Sequence, residues 1–158
     1  MSTVVERIGE YAGSLKQEEL GAEVVDYAKR IFLDSLACGY GGLESEPARI
    51  VRHGIAELDS SKQATIFGKG IKANAQFAAL ANGVAIRYQD YNDVYFGPAW
   101  TAHPSDTIAT VLSAAEWKER SGCEFLLGMV IAYEVQMRFS DLPVVQNLWH
   151  RGWHHTAA

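Results

Sequence analysis

The sequence predicts a predominantly helical, all-α fold, and three observations lead to this prediction. Apolar residues recur at helical spacing, at every third or fourth position, along most of the 158 residues. Ser, Pro and Gly stand at the boundaries of these stretches, where such residues begin and end helices. No stretch shows the sustained alternation of apolar and polar residues that a half-buried strand requires. The length suits one domain with a hydrophobic core.

The first two predicted helices lead into a glycine-rich segment. Apolar residues of positions 5–15 share one face of a first helix, and those of positions 24–36 share one face of a second helix that begins near Glu18. Residues 38–45, CGYGGLES, follow. Because glycine readily adopts the left-handed conformation that closes helices, we expect the second helix to end in this segment.

A third helix and a short extended segment come next. Ser45 is predicted to cap this helix, with Pro47 in its first turn, where a missing N–H costs little. Residues 64–67 are briefly β-like, and Gly68-Lys69-Gly70 follows them. This glycine pair is too short for a P-loop, which requires a longer spacing and a Lys-Ser/Thr pair. The pattern therefore indicates a short extended segment between two turns.

Three further helices are predicted in the second half of the chain. Residues 74–88 are rich in alanine, which indicates a closely packed, central helix. Ser105 or Asp106 is predicted to cap a helix that starts at residue 107. Ser121 and Glu124 have the spacing of a capping box, in which each side chain bonds the backbone N–H of the other, ahead of the last helix.

Composition and charge argue against several classes of function. The net charge of −5 and the lack of a basic stripe argue against nucleic-acid binding. No apolar run approaches the roughly 18 residues of a membrane span, and the first residues have neither signal-peptide nor transit-peptide character. Cys38 and Cys123 are far apart and form no CxxC pair, which argues against a Cys-ligated zinc or iron–sulfur site. We expect two buried, reduced thiols and a cytoplasmic protein.

The segment between the two alanine-rich helices calls for a functional interpretation. Residues 87–107, RYQDYNDVYFGPAWTAHPSDT, combine acidic residues, aromatic residues and a His-Pro-Ser sequence. Connections between helices are usually about 2–8 residues long, and longer ones are more often functional or disordered. The aromatic content argues against disorder. We therefore predict a functional loop.

Several side chains of this loop could take part in proton transfer. Pro104 restricts His103 to an extended conformation, which holds the imidazole at the start of the next helix. The N–H groups there could bind a carboxylate, and an imidazole transfers protons near neutral pH. Asp90 and Asp93 are two carboxylates at the other end of the loop, although Asp-x-x-Asp more commonly forms a turn or a cap. No metal-ligand spacing such as HExxH is present, so no metal is expected.

Taken together, the motifs of the second half of the chain resemble the MmgE/PrpD family. These motifs are Asn82-Gly83, Asp90-Tyr91-Asn92-Asp93, His103-Pro104-Ser105 and Ala132-Tyr133-Glu134-Val135-Gln136. The resemblance extends to RIFLDSLACGYGG in the first half and covers nearly the whole chain. The family includes 2-methylcitrate dehydratases, cis-aconitate decarboxylases and iminodisuccinate epimerases.

The resemblance implies a lyase or isomerase that needs no cofactor and acts on a small di- or tricarboxylate as a homodimer. It also implies a large helical domain, of which residues 1–158 would be a part, followed by a smaller α+β domain. By position, Asp90 and His103 match active-site residues of the family. The second active-site histidine matches His155 in the dehydratase-like form of the motif and His154 in the decarboxylase-like form, and this sequence has both.

The main functional hypothesis is the elimination of water from a polycarboxylate similar to 2-methylcitrate. His103 and either His154 or His155 would transfer the protons, and Asp90 would orient a histidine or a substrate hydroxyl. The residues predicted to bind the substrate are Arg87, Asp93, Ser105 and Arg151. Decarboxylation and epimerisation handle charge beside a carboxylate in the same way and stay open as alternatives. A non-catalytic helical module, for dimerisation or another interaction, is the alternative from a different class.

Overall fold

The computed structural model describes residues 2–68, 70–98, 101–142 and 150–153. Within these residues the chain forms six α-helices and two small sheets, which confirms the predominantly helical prediction. The helices α1 to α6 span Val4–Ser14, Ala22–Gly42, Glu46–Leu58, Ala75–Arg87, Ile108–Trp117 and Gly122–Ser140. The strands β1 to β4 span Ala64–Ile66, Ile71–Ala73, Tyr95–Phe96 and Thr101–Ala102. Two short 3₁₀ helices span Gln17–Glu19 and Pro104–Thr107.

In this described part of the chain, no helix is both long and apolar enough to cross a membrane.

Two of the predicted helix caps are confirmed. The Ser45 hydroxyl accepts a hydrogen bond from the N–H of Ala48 at the start of α3. Ser121 and Glu124 form the predicted capping box of α6, with bonds of 3.2 Å and 2.9 Å between each side chain and the other residue's N–H. Both caps satisfy N–H groups that have no partner within the helix.

Helix α2 differs from the prediction in two respects: where it starts, and what its C-terminal glycines do. The predicted start near Glu18 is wrong, because residues Gln17–Glu19 form a 3₁₀ helix and α2 begins at Ala22. The helix does end within the glycine-rich segment, at Gly42, but its C-cap Leu43 has an ordinary right-handed conformation. Gly42 instead allows close packing, because a Cβ atom there would lie 2.1 Å from the carbonyl oxygen of Ala85 in α4.

The alanine-rich α4 is the central helix of the fold, as predicted. It packs against α2 on one side and α5 on another. We call its buried face the α4 core; its members are Ala75, Ala78, Ala81, Asn82, Ala85 and Ile86. A second cluster joins α2, α5 and α6, where the rings of Phe32 and Phe125 meet edge to face at 4.7 Å. Small side chains on α4 thus bring the neighbouring backbones close to each other.

The short extended segment at residues 64–67 becomes the first strand of an antiparallel pair. Ile66 pairs with Ile71, and Gly68 and Gly70 between them have φ angles of +100° and +62°. Asn82 holds this strand to α4, since its amide accepts from the N–H of Phe67 and donates to the carbonyl of Thr65, both at 2.9 Å. The side chain thereby replaces the neighbouring strand that β1 lacks on this side.

The two cysteines have different environments. Cys38 is buried, and burial, followed by the charge of Asp34, raises the pKa of its thiol. Cys123 is exposed in the first turn of α6, so the prediction that both thiols are buried is wrong for this residue. Both are free thiols.

Candidate active site

The long predicted loop folds back on itself through a two-stranded pairing. Tyr95 pairs with Ala102 and Phe96 with Thr101, as β3 and β4 run antiparallel. We call residues 88–107 the site loop. The pairing brings its acidic arm, residues 90–93, against the His-Pro-Ser arm that follows β4.

The start of α5 differs from the prediction. Neither Ser105 nor Asp106 caps an α-helix, because Pro104–Thr107 forms a 3₁₀ helix and α5 begins at Ile108. The Ser105 side chain points inward and accepts from the amide of Asn92 at 2.8 Å, and both residues are buried. The N–H of Ser105 donates to Asp93 at 3.0 Å, so the protein's own carboxylate occupies this part of the predicted anion site.

Asp93 joins the two arms of the site loop to α6. One carboxylate oxygen accepts from the Ser105 N–H, and the other accepts from the hydroxyl of Tyr133 at 2.9 Å. The backbone carbonyl of Asp93 lies 2.7 Å from Nδ1 of His103. Asp93 therefore accepts hydrogen bonds through its side chain and its main chain at once.

The imidazole of His103 is held in a defined orientation. A carbonyl oxygen only accepts hydrogen bonds, so Nδ1 carries the proton toward Asp93. In the neutral imidazole Nε2 is then the basic nitrogen. Nε2 lies 3.9 Å from a carboxylate oxygen of Asp90, and the His103 side chain is 14% exposed. The extended backbone at His103 is what Pro104 was predicted to impose.

Asp90 has an unusual backbone conformation and an accessible carboxylate. Its φ is +55°, and its side chain is 68% exposed. Left-handed backbone at residues other than glycine costs about 1–3 kcal/mol, and Asp tolerates it better than most residues. Glu119 has a similar φ of +53° just after α5, so this conformation alone does not mark a functional residue. For Asp90 the additional feature is its contact with both His103 and Arg87.

Arg87, the last residue of α4, lies among three acceptors. Its guanidinium pairs with Asp90, lies 3.3 Å from the amide oxygen of Asn92, and lies 3.8 Å from Asp106. The side chain is about one third exposed. Arg87 thereby supports the left-handed turn at Asp90, and its predicted role in substrate binding stays a prediction.

The remaining predicted site residues are at the end of the chain. Arg151 is exposed, and its role in substrate binding stays a prediction. His154 and His155 lie outside the described residues. Among the residues that the structure describes, no group of three or more His, Cys, Asp or Glu side chains could hold a metal ion.

The similarity of this chain to known proteins agrees with the motifs on the site loop. Residues 6–158 match the MmgE/PrpD N-terminal domain. The chain belongs to the MmgE/PrpD family.

Individual relatives carry names of enzymes. The chain is 32% identical to the human cis-aconitate decarboxylase over 144 residues, and this alignment covers 87% of this chain and 29% of that protein. It is 30% identical to the mitochondrial 2-methylcitrate dehydratase of Yarrowia lipolytica, covering 84% of this chain and 27% of that protein. It is 29% identical to the 2-methylcitrate dehydratase of Escherichia coli O157:H7, covering 75% of this chain and 27% of that protein. The chain thus spans less than a third of the length of these relatives.

Two side chains of this MmgE/PrpD domain shape the site although the sequence analysis gave them no role. Asn92 is 3% exposed and links Ser105 to Arg87. Tyr133 of α6 reaches Asp93 across a separation of 40 residues. Burial, and next the charge of Asp93, raise the pKa of Tyr133 far above its ordinary value, so its hydroxyl stays protonated and donates. Both residues stand within the family motifs, which was the available signal.

Proposed function

We propose that this chain is part of a cofactor-independent lyase that acts on a small di- or tricarboxylate, with the elimination of water from a 2-methylcitrate-like substrate as its leading reaction. One observation carries the proposal: His103 is oriented so that its basic Nε2 lies beside the accessible carboxylate of Asp90. Membership in the MmgE/PrpD family, with relatives named as dehydratases and decarboxylases, supports the same class of reaction.

The proposed reaction moves one proton off carbon and one onto oxygen. A base takes the proton from the carbon next to a substrate carboxylate, and an acid protonates the hydroxyl on the neighbouring carbon. The C–O bond breaks, water leaves and a C=C bond forms. His103 is one of these two groups, and His154 or His155 is the other. Asp90 orients the imidazole of His103 or a substrate hydroxyl.

Substrate binding requires more positive charge than the described residues supply. Asp90 and Asp106 lie beside the guanidinium of Arg87, and Asp90 also lies beside the imidazole of His103. We propose that Arg87 and Arg151 contact the substrate carboxylates, together with cations from the remainder of a longer protein. Asp93 and Ser105 bond each other in this structure, and we propose that they contribute mainly through the shape of the loop.

The assembly of the whole protein is also part of the proposal. Residues 1–158 would form part of a large helical domain, completed by further helices and a smaller α+β domain, in a cytoplasmic homodimer. Exposed apolar side chains support an interface of this kind, among them Val5, Leu33 and Leu58 at 78%, 68% and 80% exposure. The same exposed residues favour the second candidate function, a non-catalytic helical interaction module.

Proton NMR of the full-length protein in heavy water tests the proposal. The protein is mixed in turn with 2-methylcitrate, citrate, cis-aconitate and iminodisuccinate. Loss of water supports the dehydratase reaction, while release of carbon dioxide or exchange of one α-proton identifies decarboxylation or epimerisation instead. Size-exclusion chromatography with light scattering gives the oligomeric state. A folded dimer that is inert toward all four compounds would favour the interaction module.

A further inference from the structure

The hydroxyl of Tyr133 has no role in the reaction proposed above. It nevertheless bonds Asp93, the residue whose backbone carbonyl contacts Nδ1 of His103. The ring of Tyr133 packs against the apolar cluster of α2, α5 and α6 and, with Val24, Ala28 and Met129, lines a groove between α2 and α6. The hydroxyl at its tip leaves this apolar environment and donates to Asp93 at 2.9 Å. A phenylalanine would pack against this cluster equally well, so packing does not explain the hydroxyl.

The bond from Tyr133 fixes a residue that itself orients His103. The Asp93 carboxylate has two donors, Ser105 N–H on one oxygen and Tyr133 on the other. Two donors on separate oxygens fix the rotation of the carboxylate as well as its position. The main-chain carbonyl of the same residue then receives Nδ1–H of His103 at 2.7 Å. The chain of contacts from α6 to the imidazole therefore has a single intermediate residue.

We propose that Tyr133 is a positioning residue whose hydroxyl holds Asp93 in place. The backbone carbonyl of Asp93 then keeps the proton of His103 on Nδ1, and the unprotonated Nε2 faces Asp90. The inference rests on the proposed function, because it assigns a consequence to the tautomer of the proposed proton-transfer group. When the bond is absent, the Asp93 peptide gains freedom, and His103 populates the other tautomer more often. Nε2 then carries the proton and cannot act as a base.

The test compares Tyr133→Phe with Tyr95→Phe in the full-length protein. Tyr95 is a matched control, because its hydroxyl also joins the site loop to the end of α6, through two 3.0 Å contacts with Asp141, without touching Asp93. Nitrogen-15 NMR of histidine-labelled protein reports the tautomer of His103, whose signals are assigned by their loss in His103→Gln. Steady-state kinetics on the substrate found by the proton NMR experiment gives kcat and KM.

We expect Tyr133→Phe to shift His103 toward the Nε2–H tautomer and to lower kcat about 10-fold with KM nearly unchanged, a size typical for removal of a group that orients a histidine. Tyr95→Phe should leave the tautomer and kcat as in the wild type. An unchanged tautomer in folded Tyr133→Phe would overturn the proposal. The tautomer is measured without substrate, so this result stays separate from any failure of the proposed lyase activity.

A second variant keeps the test decisive if Tyr133→Phe does not fold. Asp93→Ala removes both acceptor oxygens, so the N–H of Ser105 and the hydroxyl of Tyr133 both lose their partner. The same shift in tautomer is expected. A wild-type tautomer in folded Asp93→Ala would show that the side chain of residue 93 does not control the imidazole, and the proposal would be wrong.

Discussion

The α4 core and the site loop are equally well buried at their centres, but different forces hold them. In the α4 core, Ala85 meets Gly42 of α2 at backbone distance, and shape determines the packing at this contact. At the centre of the site loop Asn92 and Ser105 are just as buried, and hydrogen bonds between side chains and backbone hold them in place. Small residues thus determine how closely the helices pack, whereas hydrogen bonds between polar residues determine how the side chains of the candidate site are oriented.

The largest expected effect concerns the site loop and appears in activity. His103→Ala should lower kcat about 100- to 10,000-fold in the full-length protein, the usual contribution of a proton-transfer group. Its free energy of unfolding should fall by only about 1 kcal/mol, the usual net contribution of one hydrogen bond such as that to the Asp93 carbonyl. Steady-state kinetics and thermal unfolding measure the two effects. The control is His53→Ala on the exposed face of α3. The His53 side chain is 81% exposed and lies 3.4 Å from Glu57, one helical turn away. Equal activity in the two variants would remove His103 from the proposed reaction.

The next effect concerns the one polar side chain within the α4 core. Asn82→Ala should destabilise the protein by about 2–4 kcal/mol, because it leaves the buried N–H of Phe67 and the carbonyl of Thr65 without their partner. Urea unfolding measures this loss. A loss below about 0.5 kcal/mol would show that water replaces the amide, and that β1 is not held by α4 as the geometry indicates.

A smaller change tests whether shape controls the α4 core. Gly42→Ala should destabilise the protein by about 1–3 kcal/mol, since the added Cβ would lie 2.1 Å from the Ala85 carbonyl oxygen and the helices must separate. Gly54→Ala on α3 is the matched control, because a Cβ there meets nothing within 4 Å. That variant should be more stable by up to about 1 kcal/mol, the helix preference of alanine over glycine. Effects of the same sign in urea unfolding would contradict the packing explanation.

These two regions also differ in how far the sequence predicts them. Helical spacing and caps identify α4, Ser45 and the Ser121–Glu124 box, because these features depend on residues close in sequence. The contacts of Asp93 depend on the pairing of β3 with β4 and on the arrival of Tyr133 from α6. No local pattern encodes either partner. For the same reason Ser105 looked like a helix cap, although its side chain bonds Asn92 from the opposite arm.

The smallest expected effect compares two capping boxes of the same chemistry on helices that are packed differently. Backbone and side-chain hydrogen bonds from Ser121 lower the pKa of Glu124, and those from Thr3 lower the pKa of Glu6 on α1. A lowered folded-state pKa means that the stabilisation is complete above the unfolded pKa of about 4.3 and is lost as the pH falls through the folded value. Glu124→Gln should therefore reduce stability at pH 7 and become indistinguishable from the wild type in acid. Urea unfolding along a pH series measures this convergence.

Glu6→Gln should leave the global midpoint unchanged at every pH, because α1 has no buried residue and can fray without opening the core. Its effect should appear instead as faster hydrogen exchange of the amides in the first turn of α1. The capping chemistry is the same in both boxes, so packing decides whether a local bond contributes to global stability. If both variants shifted the global midpoint equally, α1 would unfold together with the α4 core, and burial would not distinguish the two capping boxes.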